Sequence, residues 1–370
     1  MIPAEDDLRF MRLALALGRR GQGAVWPNPS VGCVVVKDGR ILGRGWTAPG
    51  GRPHAEPHAI AQAGAAAHGA TAYVSLEPCA HHGRTPPCAE ALVSAGVARV
   101  VTALDDPDQR VAGKGHAILR QAGIAVTTGV CADEARADHA GFLLRVTEGR
   151  PMVTLKLATS FDGRIATASG ESRWITGAGA RRMVHALRMC HDAVLVGGGT
   201  ARADDPDLTV RGLGVHRQPV RVVVSRQANL PGKGRLAATA REVPVWVLHG
   251  DRPDDVPRAR RAGLEERGVR LLPAPVGPGS QIGLEGALRE LGAAGLTRVF
   301  CEGGGALAAS LLAAGCVDRL VGFTAGVALG AEGRPSLGAM GIDRLAEAPR
   351  FRLIATRTVD GDAMHEWARL

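Results

Sequence analysis

Aromatic residues are scarce in this 370-residue chain, at 3%, with one tyrosine, five tryptophans and six phenylalanines. Proteins that grip single-stranded nucleic acid stack bases on aromatic side chains, so that surface chemistry is nearly missing here. Long apolar runs are missing as well. The first residues carry Glu5, Asp6 and Asp7 ahead of "LRFMRLALALG", a short run broken by Arg12. That segment has neither the charge order of a secretory signal nor the length of a membrane span, so a cytoplasmic protein with no membrane partner is expected. Cysteine is thin and dispersed: seven residues, an odd number, at 33, 79, 88, 131, 190, 301 and 316. A secreted disulfide framework would be denser, and most of these are expected to be buried thiols in a reducing compartment.

The first half also lacks an excess of either charge. Residues 1–148 hold 15 Lys+Arg against 14 Asp+Glu, while the whole chain carries +9, so about +8 of it falls in the second half. A nucleic-acid-binding first domain would need a basic stripe to neutralise phosphates, and none is present. The basic second half suits a small polyanion.

What the chain does have is glycine, 50 residues of it, and strands alternating with helices. A helix over about 6–20 precedes a hairpin, "SVGCVVVKDGRILGRGW", turned at "KDGR". A helix beginning near His54 follows, then the strand "TAYVSLEP", a helix from about Cys88 to Gly96, the strand "RVVTALDD", a helix near 114–122 and the strand "IAVTTGV". Such alternation implies a sheet covered on both faces. The length fits two domains, and Gly149 and Pro151 interrupt the pattern, so domains at 1–147 and 148–370 are expected. The second restarts the alternation with "MVTLKLATS", "DAVLVGGGT", "VRVVVS", "VPVWVLHG", "RVFCEGGG", "RLVGFTAGVAL" and "FRLIATRTV" as strands, and "PGKGRLAATAREVP" reads as a loop.

Chemistry concentrates in "PHAEPHAI" and "LEPCAHHGRTPPCAEAL". His54, Cys79 and Cys88 offer one imidazole and two thiolates, a three-ligand zinc site whose fourth tetrahedral position stays free for water. Zinc lowers the pKa of such a water toward neutrality. Glu56, two residues from His54, is placed to move protons without being a ligand. Adding His81 or His82 to the metal would close the shell, so those two are expected to shape the loop or meet the substrate. His58, one turn beyond His54, reads as a helix residue, though spacing alone also permits a ligand there. In order, these residues match the zinc deaminase signature His-x-Glu then Pro-Cys-x-x-Cys, except that eight residues separate the cysteines instead of two.

That long loop, with "NPSVGCVVVKDG", "HAEPHAI" and "DPDQRVAGKG", resembles the deaminase half of the bifunctional riboflavin-biosynthesis deaminase/reductase family, RibD or RibG. The resemblance implies a cytidine-deaminase-like three-layer αβα domain with one Zn2+ per chain on His54, Cys79 and Cys88, and Glu56 as the catalytic proton carrier. It implies that Asn28 meets the substrate sugar or base and that Arg84 and Thr85 cradle its phosphate. The chain departs from the family pattern at Thr47, where a histidine is expected, at Arg52, where an acidic residue is expected, and at Asp108, which turns "DPN" into "DPD".

In the second half, "AVLVGGGTARADDP" and "RVFCEGGGALAASLLAAG" each run from an apolar strand into three glycines, and the second opens directly into a helix. Backbone amides at such a start are able to bind phosphate, although tight strand-to-helix turns explain the glycines equally well. "KLATSFDGRIA", "GESRWIT", "ADDPDLTVR" and "EGGGALA" resemble the same family's reductase half, which implies a dihydrofolate-reductase-like α/β fold using NADPH. By that resemblance Ala158, Trp174, Thr200, Asp204, Ser225 and the run Gly304, Gly305, Ala306, Leu307, Ala308, Ala309 and Ser310 bind NADPH. Ser172, Arg188, Leu208, Arg211 and Glu302 hold the substrate, with the arginines toward its phosphate. Gly326 and Val327 replace the family's Pro-Lys, and little effect on catalysis is expected. Lys156 and Glu302 are both open as the acid of the reduction. The expected enzyme deaminates a phosphorylated diaminopyrimidine and then reduces its ribosyl group to ribityl. It takes a small-molecule partner, no nucleic acid, and a homo-oligomeric state.

Overall fold

The computed structural model describes residues 4–82 and 86–370. It divides into two compact units, Met1–Gly149 and Arg150–Leu370. The first contains α1 (Glu5–Arg19), β1 (Gly32–Lys37), β2 (Arg40–Trp46), α2 (Ala55–Ala63), β3 (Thr71–Val74), α3 (Cys88–Ser94), β4 (Arg99–Thr102), α4 (Lys114–Gln121), β5 (Ala125–Thr127) and α5 (Ala132–Glu148). Its sheet runs β2-β1-β3-β4-β5, antiparallel at the hairpin end and parallel from β3 onward. Helices α1 and α5 meet on one face, and the row α2, α3, α4 covers the other, giving three layers. The hairpin turns at Asp38 and Gly39, with φ of 49° and 71°, the left-handed pair that a two-residue turn requires.

Strand β3 stops at Val74, four residues short of the expected strand. Beyond it Glu77 N–H still bonds Leu104 O, but Pro78 has no N–H to give and the chain turns away toward Cys79. Buried Asp7 fixes α1 to the sheet by accepting from both terminal nitrogens of Arg99 (2.9 and 2.8 Å) and from the Tyr73 hydroxyl (2.9 Å).

Three glycines set how closely the helices approach. A Cβ at Gly32 would run into the Ala14 carbonyl of α1, and Cβ atoms at Gly43 and Gly45 into the Ala59 and Ala55 carbonyls of α2. Helix α2 therefore lies directly on the backbone of β2, and its first turn carries the chemistry.

The second unit contains β6 (Met152–Ser160), β7 (Arg164–Ala166), α6 (Ala178–Met189), β8 (Ala193–Gly197), α7 (Gly198–Asp204), β9 (Val220–Val224), α8 (Arg235–Ala238), β10 (Val245–Gly250), α9 (Arg258–Glu266), β11 (Arg270–Ala274), α10 (Leu284–Ala293), β12 (Arg298–Cys301), α11 (Gly305–Ala313), β13 (Arg319–Ala325), β14 (Arg334–Pro335), β15 (Phe351–Val359) and β16 (Asp362–Arg369). Its nine-stranded sheet is ordered β11-β10-β9-β8-β12-β6-β13-β16-β15. It is parallel up to β13, with an antiparallel β15–β16 hairpin closing the edge. The hairpin turns at Asp360 and Gly361 (φ 48° and 89°), the same device as in the first unit. The stretch read as a loop from 231 to 244 contains the short helix α8.

Both glycine-rich turns open helices: Gly197 caps α7 and Gly304 caps α11. Because β8 and β12 are neighbours, the two helix starts stand side by side at the carboxyl edge of the sheet, where open α/β sheets form their binding crevices. No helix of the described residues is long and apolar enough to cross a membrane.

Candidate active sites

In the first unit, His54 is the residue before α2, Glu56 lies in its first turn, Cys79 follows the end of β3, and Cys88 is the first residue of α3. These elements bring His54 Nδ1 to 3.3 Å from Cys88 Sγ and 3.6 Å from Cys79 Sγ, and the three ligand atoms lie within 4.8 Å of one another. The Cys88 backbone N–H also donates to Cys79 Sγ at 3.3 Å. A hydrogen bond from Cys88 and burial in opposition leave the Cys79 thiol lowered to about 4, so it is a thiolate at neutral pH. Its bond to Cys79, reinforced by burial, raises Cys88; the Cys79 contact also raises His54. Burial, reinforced by the Cys79 charge, raises Glu56, which is 3% exposed.

A cavity of about 350 Å3 opens beside this cluster. Asn28, His54, Glu56 and Cys79 line it, while Cys88 is buried behind. Arg84 and Thr85 lie outside the described residues. His81 lines the cavity with its Nδ1 buried and without a partner among the described residues, whereas His82 turns away to Glu90 at 3.1 Å. His58 is exposed on α2 and is not in the ligand cluster.

The departures at Thr47 and Asp108 have clear contacts. The Thr47 hydroxyl accepts from Val31 N–H (3.0 Å) and donates to Pro29 O (3.1 Å), pinning the segment after Asn28. Asp108 accepts from Arg110 Nε at 3.0 Å and Nη2 at 2.5 Å, so this carboxylate carries its own counter-ion, and the Arg110 bond holds it below the usual carboxylate range. Arg52 lines the cavity wall. Sequence reading assigned no role to Glu77, Asp106, Arg110, Phe142 or Arg145, yet all line the cavity. Phe142 and Arg145 come from α5, which no motif marks. Glu77 accepts from the backbone N–H groups of Asp106 (3.1 Å), Gly113 (3.0 Å) and His116 (3.2 Å), tying the loop of "DPDQRVAGKG" to the segment that leads into Cys79. Glu77, Asp105 and His116 form a second group with metal-ligand spacing, but both Glu77 oxygens are already engaged by these amides. Burial pushes Asp106 up to about 6.

In the second unit a cavity of about 380 Å3 is lined by Ala158, Ser172, Trp174, Thr200, Asp204, Arg188, Leu208, Arg211, Glu302 and Gly304. A neighbouring cavity of about 890 Å3 is lined by Thr200, Ser225, Gly304, Gly305, Ala306, Leu307 and Ser310. Thr200 and Gly304 border both, so the two join at the glycine-rich helix starts. Ala308 and Ala309 border neither, because they form the buried inner face of α11. Arg188 spans Glu302 (Nε–Oε1 2.5 Å, Nη2–Oε2 3.0 Å) and donates to Thr209 O at 2.7 Å. Burial lowers Lys156, against the attraction of Glu302. Burial raises Glu302, but Arg188 and Lys156 outweigh it and leave the carboxyl below its ordinary value. Phe161 N–H bonds Val327 O at 2.7 Å, and Asp162, lowered to about 2 chiefly by the Ser160 hydroxyl, accepts from Leu329 and Gly330, so the Gly326–Val327 departure sits in a backbone clasp.

Fold and sites together define an enzyme with a zinc-class deaminase unit and a reductase unit. Residues 4–104 match the cytidine and deoxycytidylate deaminase zinc-binding region, and residues 151–364 match the RibD C-terminal domain. The chain is 41% identical to the riboflavin biosynthesis protein RibD of Escherichia coli, covering 96% of this chain and 98% of that one, and 40% identical to RibD of Aquifex aeolicus, covering 94% of each. Among solved structures it superposes on Acinetobacter baumannii RibD with a TM-score of 0.87 at 39% identity. It also superposes on a Thermotoga maritima diaminohydroxyphosphoribosylaminopyrimidine deaminase/5-amino-6-(5-phosphoribosylamino)uracil reductase with a TM-score of 0.85 at 34% identity, each match covering 99% of both chains. The chain belongs to the RibD family, the bifunctional deaminase/reductases of riboflavin biosynthesis.

Proposed function

We propose that the 1–147 domain deaminates 2,5-diamino-6-(phosphoribosylamino)pyrimidin-4-one at one zinc ion held by His54, Cys79 and Cys88. The 148–370 domain then reduces the ribosyl group of the resulting uracil to ribityl with NADPH. The observation carrying the first half is the ligand cluster beside a buried carboxylate at a cavity wall. One imidazole and two sulfurs, one already a thiolate, suit zinc. Bound zinc supplies an acidified water. Glu56 takes the proton of the attacking water and delivers it to the departing ammonia, as a buried carboxylate on the cavity wall that is not itself in the ligand cluster. Asn28 orients the substrate, with Arg84 and Thr85 on its phosphate.

For the second half, Ala158, Trp174, Thr200, Asp204, Ser225 and the turn from Gly304 to Ser310 hold the cofactor, Ala308 and Ala309 acting only as the packed base of that turn. The joined cavities and the exposed amides at the start of α11 support a dinucleotide. Bound NADPH supplies the hydride. Ser172, Leu208, Arg188 and Arg211 position the phosphorylated ribosylamine in its ring-opened imine form. The reduction also consumes a proton. Glu302 is held ionised by Arg188 and has none to give, so Lys156 is the donor.

The test is one assay on purified full-length chain with the diaminopyrimidine substrate, following ammonia release and NADPH oxidation together. Ammonia release followed by stoichiometric oxidation is expected; oxidation without ammonia would sink the first assignment, and ammonia without oxidation the second. The protein is proposed to act in the cytoplasm as a homo-oligomer, which light scattering on the purified chain tests.

A further inference from the structure

We infer that Arg202 is the residue that selects NADPH over NADH, by pairing with the phosphate on the 2′-oxygen of the adenosine ribose. This rests on the reading that NADPH occupies the two joined cavities.

The larger cavity, which Glu302 does not line, has a polar wall formed by Arg202, Ser225, Arg226, Gln227 and Asn229. No carboxylate is among the described residues that line this cavity, and two are cationic. Their charges are not equivalent. Arg226 is paired with Asp255 at 3.2 Å, so its charge is largely spent. Arg202 donates to a neutral carbonyl, Asn229 O, at 3.3 Å, and keeps its full charge for a ligand. A Cβ at Gly198 would lie 3.1 Å from Arg202 Nη1 and 3.0 Å from Ser225 Oγ, so guanidinium and hydroxyl converge on one point of the wall. A glycine at that point leaves it open.

A guanidinium and a hydroxyl aimed together are the donor set for a phosphate dianion, and an arginine near the adenosine ribose is how dinucleotide sites accept the extra phosphate of NADPH. NADH offers a neutral hydroxyl there and gains nothing from the charge. Arg202 lies on α7 and lines the larger cavity and not the one that Lys156 and Glu302 line, so it discriminates cofactors without touching the reacting atoms.

The test is a calorimetric binding titration of the full-length chain, without substrate, using NADPH, NADH, adenosine 2′,5′-bisphosphate and 5′-AMP. The wild type is expected to prefer NADPH and the bisphosphate. Arg202→Gln is expected to weaken both of these about 10- to 100-fold while leaving NADH and 5′-AMP within about twofold, and Arg202→Lys to keep part of the preference. A Gln variant that retains the wild-type NADPH/NADH ratio, or loses both cofactors equally, overturns the assignment while leaving the NADPH site intact. A wild type that binds neither cofactor overturns the NADPH reading and this one with it.

Discussion

Arg188 and Glu302 meet end to end in the second unit, two hydrogen bonds of 2.5 and 3.0 Å joining side chains that are 11% and 10% exposed. Glu302→Gln removes the counter-charge of Arg188 and the attraction that opposes the burial of Lys156. Since burial already lowers Lys156, the variant lowers it further, and protonated Lys156 is lost at lower pH as pH rises. The alkaline limb of the reductase pH profile is expected to move down, and the rate above that limb to fall by up to about 100-fold as the protonated donor is depleted. A stopped-flow profile of NADPH oxidation whose alkaline limb stays in place would remove Lys156 as donor.

Glu56→Gln keeps the shape of the side chain and removes its ability to carry a proton. Ammonia release is expected to fall about 100- to 10,000-fold with zinc content unchanged. Metal analysis alongside the assay separates this from simple loss of zinc; normal deamination with zinc bound would show the proton carrier to be another group.

Removing the metal with a chelator is expected to abolish ammonia release and leave NADPH oxidation intact when the deaminated intermediate is supplied, because Lys156, Glu302 and the joined cavities all belong to the other unit. Readdition of zinc should restore deamination. Loss of both activities on chelation would contradict this division of labour.

Arg110→Gln removes the bonded counter-ion of Asp108 on the wall of the deaminase cavity and leaves Arg145 as a cation that still attracts it, so the wall that the proposed phosphorylated substrate meets becomes more negative. The KM for deamination is expected to rise a few-fold, about the scale of an exposed ion pair, since Arg110 is mostly solvent-facing. The double variant Arg110→Gln/Asp108→Asn removes the anion and should recover the wild-type KM. A double variant as poor as the single one would show that the Arg110 charge itself, and not neutralisation of Asp108, is what matters.

Motif residues were the legible part of this molecule. That His54, Cys79 and Cys88 gather beside Glu56 was readable because a metal-type ligand set needs particular atoms at chain positions close enough to search by eye. Strand β6 was readable to the residue because apolar Val153, Leu155 and Leu157 recur at every second position, between Pro151 and the Asp162-Gly163 turn. Strand β16 was missed although Asp360-Gly361 announces its hairpin as plainly as Asp38-Gly39 announces the first: "DAMHEWAR" carries charged and polar residues, as a strand near a sheet edge is free to do. Phe142 and Arg145 were beyond reach, since α5 meets the cavity through tertiary packing that leaves no local pattern. The inward side of α11 explains why Ala308 and Ala309, taken as part of a binding run, face the core: helical periodicity turns every such run partly away from its ligand.

The contact of α2 with β2 through Gly43 and Gly45 has a consequence for how this enzyme tolerates change. Where a helix rides on side chains, a methyl gained or lost raises or lowers it, and anything attached to its first turn follows. Here carbonyls rest on bare strand backbone, so the standing height of His54 and Glu56 is written in main-chain atoms. Substitutions on the outer surface of α2 are free to accumulate without shifting His54 or Glu56, whereas either glycine is a fixed point that a single added carbon would break.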